Sequence, residues 1–468
     1  MVPALVWLLN PENQAGYKKI FGNFFLGGFT SYLIILYWIY GVLYLNGAGF
    51  FGAMAGYLAL AAYLAIYWGL FGVLLHYMRA VGTLPLMFFI PLLWTGLELI
   101  KTYLFTGFPW LLTGYSLWSY TPLIQISSVT GVLGLSFLVL FLNAGVALFI
   151  RERKFFALAI PLLATTIVSI YGFYKISNTD EEGDYKAAIL QGNISQYLKW
   201  DSEQEGETLR IYRDLAIQAA EEKPDLIVLP ETVLPSALEV DPYTTFYTRR
   251  IAETTSAPLI LGSVELSRRK YYNSAYSISP DGEISVPYRK IHLVPFGEYI
   301  PFRSILSNFI GVINEIGDFD PGEERILLNA KNMKFATAIC FESIFGGEVS
   351  CFFREGAEVF VNITNDGWFL DTAGPYQHFI HSIFRSVENR TYSLRSANTG
   401  ISAIIDPAGR ILNKTKLLEE TYITGNFSPS KKRTFYSRCG DLFAYFSLSG
   451  ALAMIIWRIL CIKNIKKN

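Results

Sequence analysis

The sequence predicts a polytopic α-helical membrane domain joined to an α/β domain, and three observations lead to this fold class. First, 52% of the 468 residues are hydrophobic and only 17% are charged, whereas about 25% of an ordinary soluble protein is charged. Second, long apolar runs fill the first third of the chain and recur near its C-terminus. Third, the stretch between them alternates short apolar runs with helical patterns, which is typical of α/β layers.

Six apolar runs are long enough to be transmembrane helices. A single run could be a buried helix of a soluble core, but five in close succession exclude that interpretation. Glu98 and Lys101 lie one turn apart in the third run, and because charges are costly there we expect them to pair or to face the protein interior. The predicted spans are residues 24–45, 53–75, 84–104, 123–150, 155–175 and 442–462.

Positive charge predicts the orientation of these spans. Basic residues cluster before the first span, between the second and third, between the fourth and fifth, and after the sixth. Cytoplasmic loops carry such an excess, so both termini are predicted to be cytoplasmic and the α/β domain to face outward. The predicted domains are a membrane domain at 1–176, the α/β domain at 177–441, and a C-terminal helix with a basic tail at 442–468. The basic residues are Lys18, Lys19, Arg79, Arg151, Arg153, Lys154, Lys463, Lys466 and Lys467.

Charge and cysteine usage exclude several classes of protein. The 39 basic residues balance the 39 acidic ones, so nothing indicates a nucleic acid partner. The four cysteines show neither a disulfide framework nor a metal-ligand spacing, although a Cys351–Cys439 bridge stays open. His378 and His381 lie three apart without an evident third ligand, so we expect no metal and no diffusible cofactor.

The α/β domain contains several apolar runs that are predicted as strands. A helical pattern at 201–222 separates the first two predicted strands. At the other end of the chain, residues 1–23 lack the pattern of a cleavable signal peptide. The predicted strands are residues 186–194, 226–231, 258–265, 273–279, 335–342, 359–365 and 402–407.

Three of these regions present groups that suit acyl transfer through a cysteine. The strand 335–342 carries Cys340, the strand 226–231 ends in Glu231, and Lys290 lies on a Pro- and Gly-rich loop. A cysteine attacks a carbonyl as a thiolate, so it needs a base such as Glu231. The oxyanion that forms needs a fixed positive charge such as Lys290. Taken singly, each residue could equally be a core thiol, a strand-end cap or a surface charge.

The order Glu231, Lys290, Cys340, with Pro-Glu, Tyr-Arg-Lys and Cys-Phe-Glu around them, resembles the nitrilase (carbon–nitrogen hydrolase) superfamily. The segment "HLVPFGEYIP" at 292–301 and "TGFPW" at 106–110 are similar, more specifically, to the apolipoprotein N-acyltransferase family. This resemblance implies a nitrilase-like α-β-β-α sandwich for the outer domain. It also implies that the chain begins after further spans that the family has at its N-terminus.

The resemblance also implies roles for further residues. Glu298 and Glu342 are expected to orient the lysine or to support the intermediate, and Trp368 to contact substrate. Phe341 stands where many relatives have tyrosine, so a hydroxyl there is not expected to be essential. The resemblance further implies an enzyme of the bacterial inner membrane whose catalytic domain faces the periplasm. We expect this enzyme to be a monomer.

The implied reaction moves an acyl chain from a phospholipid, with phosphatidylethanolamine as the expected donor, to a diacylated apolipoprotein. The chain would rest on Cys340 as a thioester before reaching the α-amino group of the N-terminal diacylglyceryl-cysteine. Two alternatives stay open: a membrane-anchored amidase that acts on a small molecule, and a transporter with an inactive outer domain. Two side questions stay open as well. The aromatic loop 105–122 either anchors the protein at the membrane interface or lines the site where a lipid chain enters. Four charged residues form either an ion-pair network or a site for a lipid phosphate: Arg385, Glu388, Arg390 and Arg395.

Overall fold

A computed structural model describes residues 1–179, 183–195, 205–234, 236–300 and 319–465. The chain divides into two compact units. One combines Met1–Ser177 with Cys439–Asn468, and the other is Asn178–Arg438.

The described residues of the N-terminal part of the first unit form helices and connecting loops, with no strands. Two long helices, α2 and α4, are separated by the short α3 and a π-helical turn at Tyr44–Ala48 where Gly47 has a φ of +84°. The helices are α1 (Val2–Leu9), α2 (Tyr17–Ile35), α3 (Trp38–Leu43), α4 (Gly49–Met78), α5 (Thr83–Tyr103), α6 (Thr121–Ile124), α7 (Ser127–Thr130), α8 (Val132–Glu152) and α9 (Phe156–Ser177).

Helices α2 and α4 pack antiparallel against each other. The ring of Tyr17, at the start of α2, makes an edge-to-face contact with His76 near the end of α4. At the other end of the helix pair, the Tyr57 hydroxyl of α4 donates to the Leu33 carbonyl of α2. Gly28 of α2 lies so close to Trp68 of α4 that a Cβ atom there would be 2.6 Å from the indole ring. Small residues allow this close approach between helices in an apolar environment.

Among the described residues, five helical stretches are long and apolar enough to cross a membrane, and the multi-pass prediction is confirmed in this form. They are Trp38–Met78, Thr83–Tyr103, Val132–Glu152, Phe156–Ser177 and, near the C-terminus, Leu442–Asn464.

Two predicted spans were placed wrongly. The span 24–45 is interrupted at Leu36 and Tyr37, because α2 ends at Ile35 and α3 begins at Trp38. The span 123–150 starts too early, because the short helices α6 and α7 precede Gly131, whose φ of +65° starts α8. Apolar composition continued through both breaks, so hydropathy could not reveal them.

Glu98 and Lys101 of α5 face the interior of the unit, as predicted for charges within a span. Their relative exposures are 3% and 2%. Oε1 of Glu98 accepts from the backbone N–H of Thr113 (2.7 Å) and from its hydroxyl (2.8 Å). The Lys101 ammonium lies 5.8 Å from the centre of the Tyr32 ring. In the loop that follows, Trp110 and Tyr115 are buried, whereas Phe105 and Tyr120 are exposed.

The second unit contains two six-stranded sheets. The first has the order β12-β1-β2-β3-β4-β5 and the second the order β11-β10-β9-β8-β7-β6. Their strands are β1 (Tyr185–Gln191), β2 (Leu226–Val228), β3 (Leu259–Ser267), β4 (Lys270–Ile278), β5 (Tyr288–Arg289), β6 (Leu328–Ala330), β7 (Met333–Ile339), β8 (Val359–Thr364), β9 (Ser393–Ala397), β10 (Ala403–Ile405), β11 (Ile411–Lys414) and β12 (Thr421–Phe427).

The two sheets face each other across one apolar core, and helices cover their outer faces. Ile189 and Val228 of the first sheet belong to the same buried cluster as Phe335 and Val361 of the second. A separate cluster joins the other face of the first sheet to helices through Leu209, Leu215 and Ile251. This is the predicted α-β-β-α sandwich. Its helices are α10 (Glu205–Ala220), α11 (Pro242–Thr255), α12 (Gly346–Arg354), α13 (Ala373–Asn389) and α14 (Phe435–Cys439), and α15 (Leu442–Ile465) returns to the first unit.

All seven predicted strands are present, but the two that were expected to contain Glu231 and Cys340 end before those residues. Strand β2 ends at Val228. Strand β7 ends at Ile339, and a 3-10 helix runs from Cys340 to Ile344. Five further strands were not predicted: β5, β6, β9, β11 and β12. Cys351 and Cys439 are free thiols.

Candidate active site

The three predicted catalytic residues follow strands of both sheets. Glu231 lies three residues after β2, Lys290 directly after β5, and Cys340 directly after β7. Gly262 of β3 brings the Glu231 turn close, because a Cβ at that glycine would be 2.7 Å from the Glu231 Cα. A side chain at position 262 would therefore displace Glu231.

Cys340 adopts a backbone conformation that is unusual for a residue with a side chain. Its φ is +52°, in the left-handed region that costs an L-residue about 1 kcal/mol or more. The residue is 8% exposed. Burial and then the Glu231 carboxylate raise the pKa of its thiol well above the usual value, and Lys290 opposes them. The resting side chain is therefore a neutral thiol that needs a base.

Lys290 is held between two carboxylates. Its ammonium lies 2.9 Å from Oε1 of Glu298 and 3.4 Å from Oε1 of Glu231, and the side chain is 1% exposed. Burial lowers the pKa of Lys290, but Glu298 and Glu231 outweigh burial and raise it above its usual value. Lys290 is therefore a fixed positive charge.

Two asparagines donate to these carboxylates, and the sequence had predicted a role for neither. Nδ2 of Asn273 donates to Oε1 of Glu231 (2.7 Å) and to Oε1 of Glu298 (2.8 Å). The backbone N–H of Asn365 donates to the other Glu231 oxygen (2.8 Å). Asn273 lies inside a predicted strand with no motif around it, so the sequence offered no signal for its role. We call Glu231, Lys290, Glu298 and Asn273 the lysine cluster.

Glu342 ties the Lys290 loop to the turn that carries Cys340. Oε1 accepts from the Tyr288 hydroxyl (2.7 Å) and from the backbone N–H groups of Ile291 (2.7 Å) and His292 (3.1 Å). Oε2 accepts from the backbone N–H of Ile339 (2.8 Å). Burial raises the pKa of Glu342. The residue therefore connects the strand ends on both sides of the site rather than pointing at a substrate.

Phe341 and Trp368 differ in exposure. Phe341 is buried and packs edge-on against Phe345 and His292. Trp368 is 39% exposed, in a 3-10 turn that runs from Asp366 to Phe369. Only Trp368 of the two therefore offers a large open surface to another molecule.

A second charged cluster lies after β8 and was not predicted as such. Asp366 accepts from Arg395 Nη2 on one oxygen (2.8 Å) and lies 2.7 Å from His378 Nδ1 through the other. Despite burial, Arg395 and His378 lower the pKa of Asp366 to about 2. We call Asp366, His378 and Arg395 the histidine cluster.

Arg385 and Arg395 of this region form ion pairs, and the lipid phosphate alternative is wrong for these two buried arginines. Arg385 and Glu388 lie 2.7 Å apart, and Arg395 pairs with Asp366, all with side chains 0% exposed. A phosphate on a lipid surface cannot reach groups that are enclosed in this way. Arg390 donates to the Pro407 carbonyl.

The comparisons with known proteins agree with this architecture. Residues 186–435 match the carbon–nitrogen hydrolase family, and residues 1–145 match the N-terminal domain of apolipoprotein N-acyltransferase. A CN-hydrolase superfamily protein from Xanthomonas campestris is 19% identical, with a TM-score of 0.42, and the match covers 52% of this chain and 90% of that one. The family match to residues 186–435 identifies the second unit as a carbon–nitrogen hydrolase domain.

Full-length relatives define the family more narrowly. Apolipoprotein N-acyltransferase from Geobacter metallireducens is 37% identical over 452 residues, which cover 93% of this chain and 86% of the relative. The enzyme from Rickettsia prowazekii is 35% identical over 380 residues, which cover 79% of this chain and 74% of the relative. The chain belongs to the apolipoprotein N-acyltransferase family. It is a multi-pass membrane acyltransferase with a nitrilase-type domain.

Proposed function

We propose that this protein transfers an acyl chain from a phospholipid to the α-amino group of a lipoprotein's N-terminal diacylglyceryl-cysteine. Cys340 carries the chain between the two as a thioester. The observation that carries this proposal is the buried Cys340 thiol beside a lysine that two carboxylates hold. This arrangement supplies a nucleophile, a base and a fixed cation without a metal.

In the first half-reaction, Glu231 takes the thiol proton as Cys340 Sγ attacks the sn-1 ester carbonyl of the phospholipid. A base is needed because burial raises the pKa of the thiol. The S–C bond forms and the carbonyl oxygen becomes an oxyanion, which the Lys290 ammonium stabilises. The C–O bond of the ester then breaks, and the departing lysophospholipid oxygen takes the proton from Glu231.

In the second half-reaction, the α-amino group of the acceptor attacks the thioester. The amine loses a proton to Glu231, the C–N bond forms, and the C–S bond breaks. The thiolate then recovers the proton from Glu231. In this proposal Glu298 and Asn273 keep Lys290 and Glu231 together, Glu342 joins the loops, buried Phe341 shapes the turn, and Trp368 contacts substrate.

The proposed setting follows the charge distribution of the helices. The enzyme lies in the bacterial inner membrane with the domain 177–441 in the periplasm, where lipoprotein N-termini are presented. The membrane domain 1–176 and the C-terminal segment 442–468 keep it in the lipid that supplies phosphatidylethanolamine. We propose that it works as a monomer. A membrane-anchored amidase is the second candidate, because the same three catalytic residues would serve amide hydrolysis.

Intact-mass analysis of the purified protein with phosphatidylethanolamine tests the proposal. We expect an acyl adduct that hydroxylamine removes, and a diacylated lipopeptide should discharge it. Cys340→Ala should form no adduct, whereas Cys351→Ala, which removes a thiol outside the site, should form it normally. Hydrolysis of small amides by a preparation that forms no adduct would instead establish the amidase.

A further inference from the structure

Asn398, the first residue after β9, makes four side-chain hydrogen bonds in the interior of the second unit. Its Oδ1 accepts from the backbone N–H of Ile194 (2.9 Å) and from the Tyr212 hydroxyl (3.2 Å). Its Nδ2 donates to the Ile194 carbonyl (2.8 Å) and to Oδ1 of Asn365 (3.1 Å). The residue is 1% exposed. The side-chain amide therefore uses both of its N–H groups and both lone pairs of its oxygen.

The backbone of Ile194 fixes the direction of this amide. Its N–H can only donate and its carbonyl can only accept, so a flipped Asn398 amide would lose both hydrogen bonds to Ile194. Oδ1 of Asn365 also accepts from the Gly367 N–H (3.3 Å), which fixes the direction of the Asn365 amide as well. Nδ2 of Asn398 therefore faces an oxygen of Asn365.

The backbone of Asn398 binds the peptide group that contacts Glu231. The Asn398 N–H donates to the Thr364 carbonyl (3.0 Å), and the N–H of the same peptide group, that of Asn365, donates to Oε2 of Glu231 (2.8 Å). Donation to the carbonyl of a peptide group polarises it and strengthens the hydrogen bond that its N–H makes. Asn398 thus lies at the far end of a hydrogen-bonded chain that ends on Glu231.

Asn365 lies just beyond the paired part of the sheet. The pairing of β8 with β9 ends at Thr364 and Ala397, and Asn365 precedes the 3-10 turn Asp366–Phe369. The residue that binds Glu231 therefore has no partner in the strand ladder. The side chain of Asn398 supplies a further contact at this point.

We propose that Asn398 is a positioning residue for Glu231, and that it holds Asn365 so that the Asn365 N–H stays on Oε2 of the base. The proposal takes Glu231 as the base from the proposed function. Asn273 and Lys290 bind the other oxygen, Oε1. A carboxylate bound through one oxygen can turn about its Cγ–Cδ bond, whereas one bound through both keeps one orientation. A base needs that orientation because proton transfer requires hydrogen-bond reach.

The rate of thioester formation in Asn398→Ala tests this role. The rate is measured by adduct mass at several concentrations of phosphatidylethanolamine. We expect the rate at saturating lipid to fall about tenfold, as for the loss of one hydrogen bond that holds a charged group. The lipid concentration at half-maximal rate should stay within twofold, because buried Asn398 does not contact the lipid. A merely structural role would lower the final amount of adduct and leave the rate of the folded protein unchanged.

Asn365→Ala tests the same link from its other end. It removes the oxygen that accepts from Asn398 but keeps the backbone N–H that binds Glu231. We expect a similar loss of rate. If Asn398 acts through Asn365, the double variant should be no more than threefold slower than the slower single variant. Losses that multiply in the double variant would overturn the proposal. Should Asn398→Ala not fold, a wild-type rate in Asn365→Ala would overturn it as well.

Two variants are matched controls. Tyr212→Phe removes only the hydroxyl at the end of the Asn398 amide away from Asn365. Asn389→Ala removes an equally buried amide on α13, which donates to the Arg385 carbonyl. Both should react within about twofold of the wild type. Absence of the adduct in the wild type would refute the proposed function, whereas a normal adduct and unchanged rates in Asn398→Ala and Asn365→Ala would refute only the role of Asn398.

Discussion

The lysine cluster and the histidine cluster flank the same cysteine, but they differ in burial and in what they contact. In the lysine cluster the side chains contact one another, and Glu298 is still 13% exposed. The side chains of Asp366, His378 and Arg395 are 0% exposed, and His378 contacts a backbone carbonyl. The first cluster can therefore exchange protons with a substrate, whereas the second holds the chain that carries the nucleophile.

This difference predicts that changes in the lysine cluster reduce the rate and that changes in the histidine cluster reduce stability as well. Removing one partner of a buried ion pair strongly destabilises a protein, because the other charge then remains buried without a partner. A group that stabilises an oxyanion matters only while the reaction proceeds.

The largest effect on the rate is expected from Lys290→Met. This change removes the fixed charge and leaves Glu231 and Glu298 to repel each other. Thioester formation should slow on the order of 100-fold, as for loss of about 3 kcal/mol of oxyanion stabilisation. The measurement is adduct mass against time. Lys331→Met, which removes a half-exposed lysine paired with Asp225, should leave the rate unchanged. A rate within threefold of the wild type in Lys290→Met would contradict the role of Lys290.

Asp366→Asn should cause the largest loss of stability, on the order of 3 kcal/mol, because it breaks a buried ion pair. The contribution of Asp366 depends on pH with a definite sign. Its pKa falls from 3.8 to about 2 on folding, so its stabilisation is complete above pH 4 and is lost as the pH falls toward 2.

Thermal unfolding of the detergent-solubilised chain between pH 7 and pH 3 measures this dependence. The gap between wild type and Asp366→Asn should narrow below pH 4. Asp225→Asn breaks only a partly exposed pair with Lys331, so it should cost less than about 1 kcal/mol. Equal losses in the two variants would refute the distinction between the clusters.

The smallest effect is expected from Asn273→Leu, which keeps the branched shape of the side chain but removes both N–H donors to the carboxylates. Lys290 still holds the two glutamates, so acylation should slow only about tenfold, the equivalent of about 1.4 kcal/mol. Asn329→Leu, on an exposed position of β6, is the control for the side-chain change. A loss as large as that of Lys290→Met would assign Asn273 a more direct part in the reaction.

The sequence predicted seven strands, among them the three-residue strands β2 and β10. It missed strands in which contacts with residues distant in sequence outweigh the local pattern. Strand β12 is only partly buried over most of its length and contains Gly425, yet it pairs with β1 along all seven residues. Strand β9 contains Arg395, a residue that local propensity does not favour in a buried strand. Its charge is tolerated because Asp366 and Asn362, distant in sequence, accept its hydrogen bonds.

What the sequence by itself determined is the two-part fold, the family and the order Glu231, Lys290, Cys340, because long apolar runs and local motifs carry that information. What only the tertiary structure decided is how those residues are held. Asn273, Asp366 and His378 reach their partners across 12 to 42 residues of chain, and Cys340 and His378 meet across 38. Hydrogen bonds between separate strand ends leave no periodicity in a sequence, because they depend on where folding places the ends of the strands.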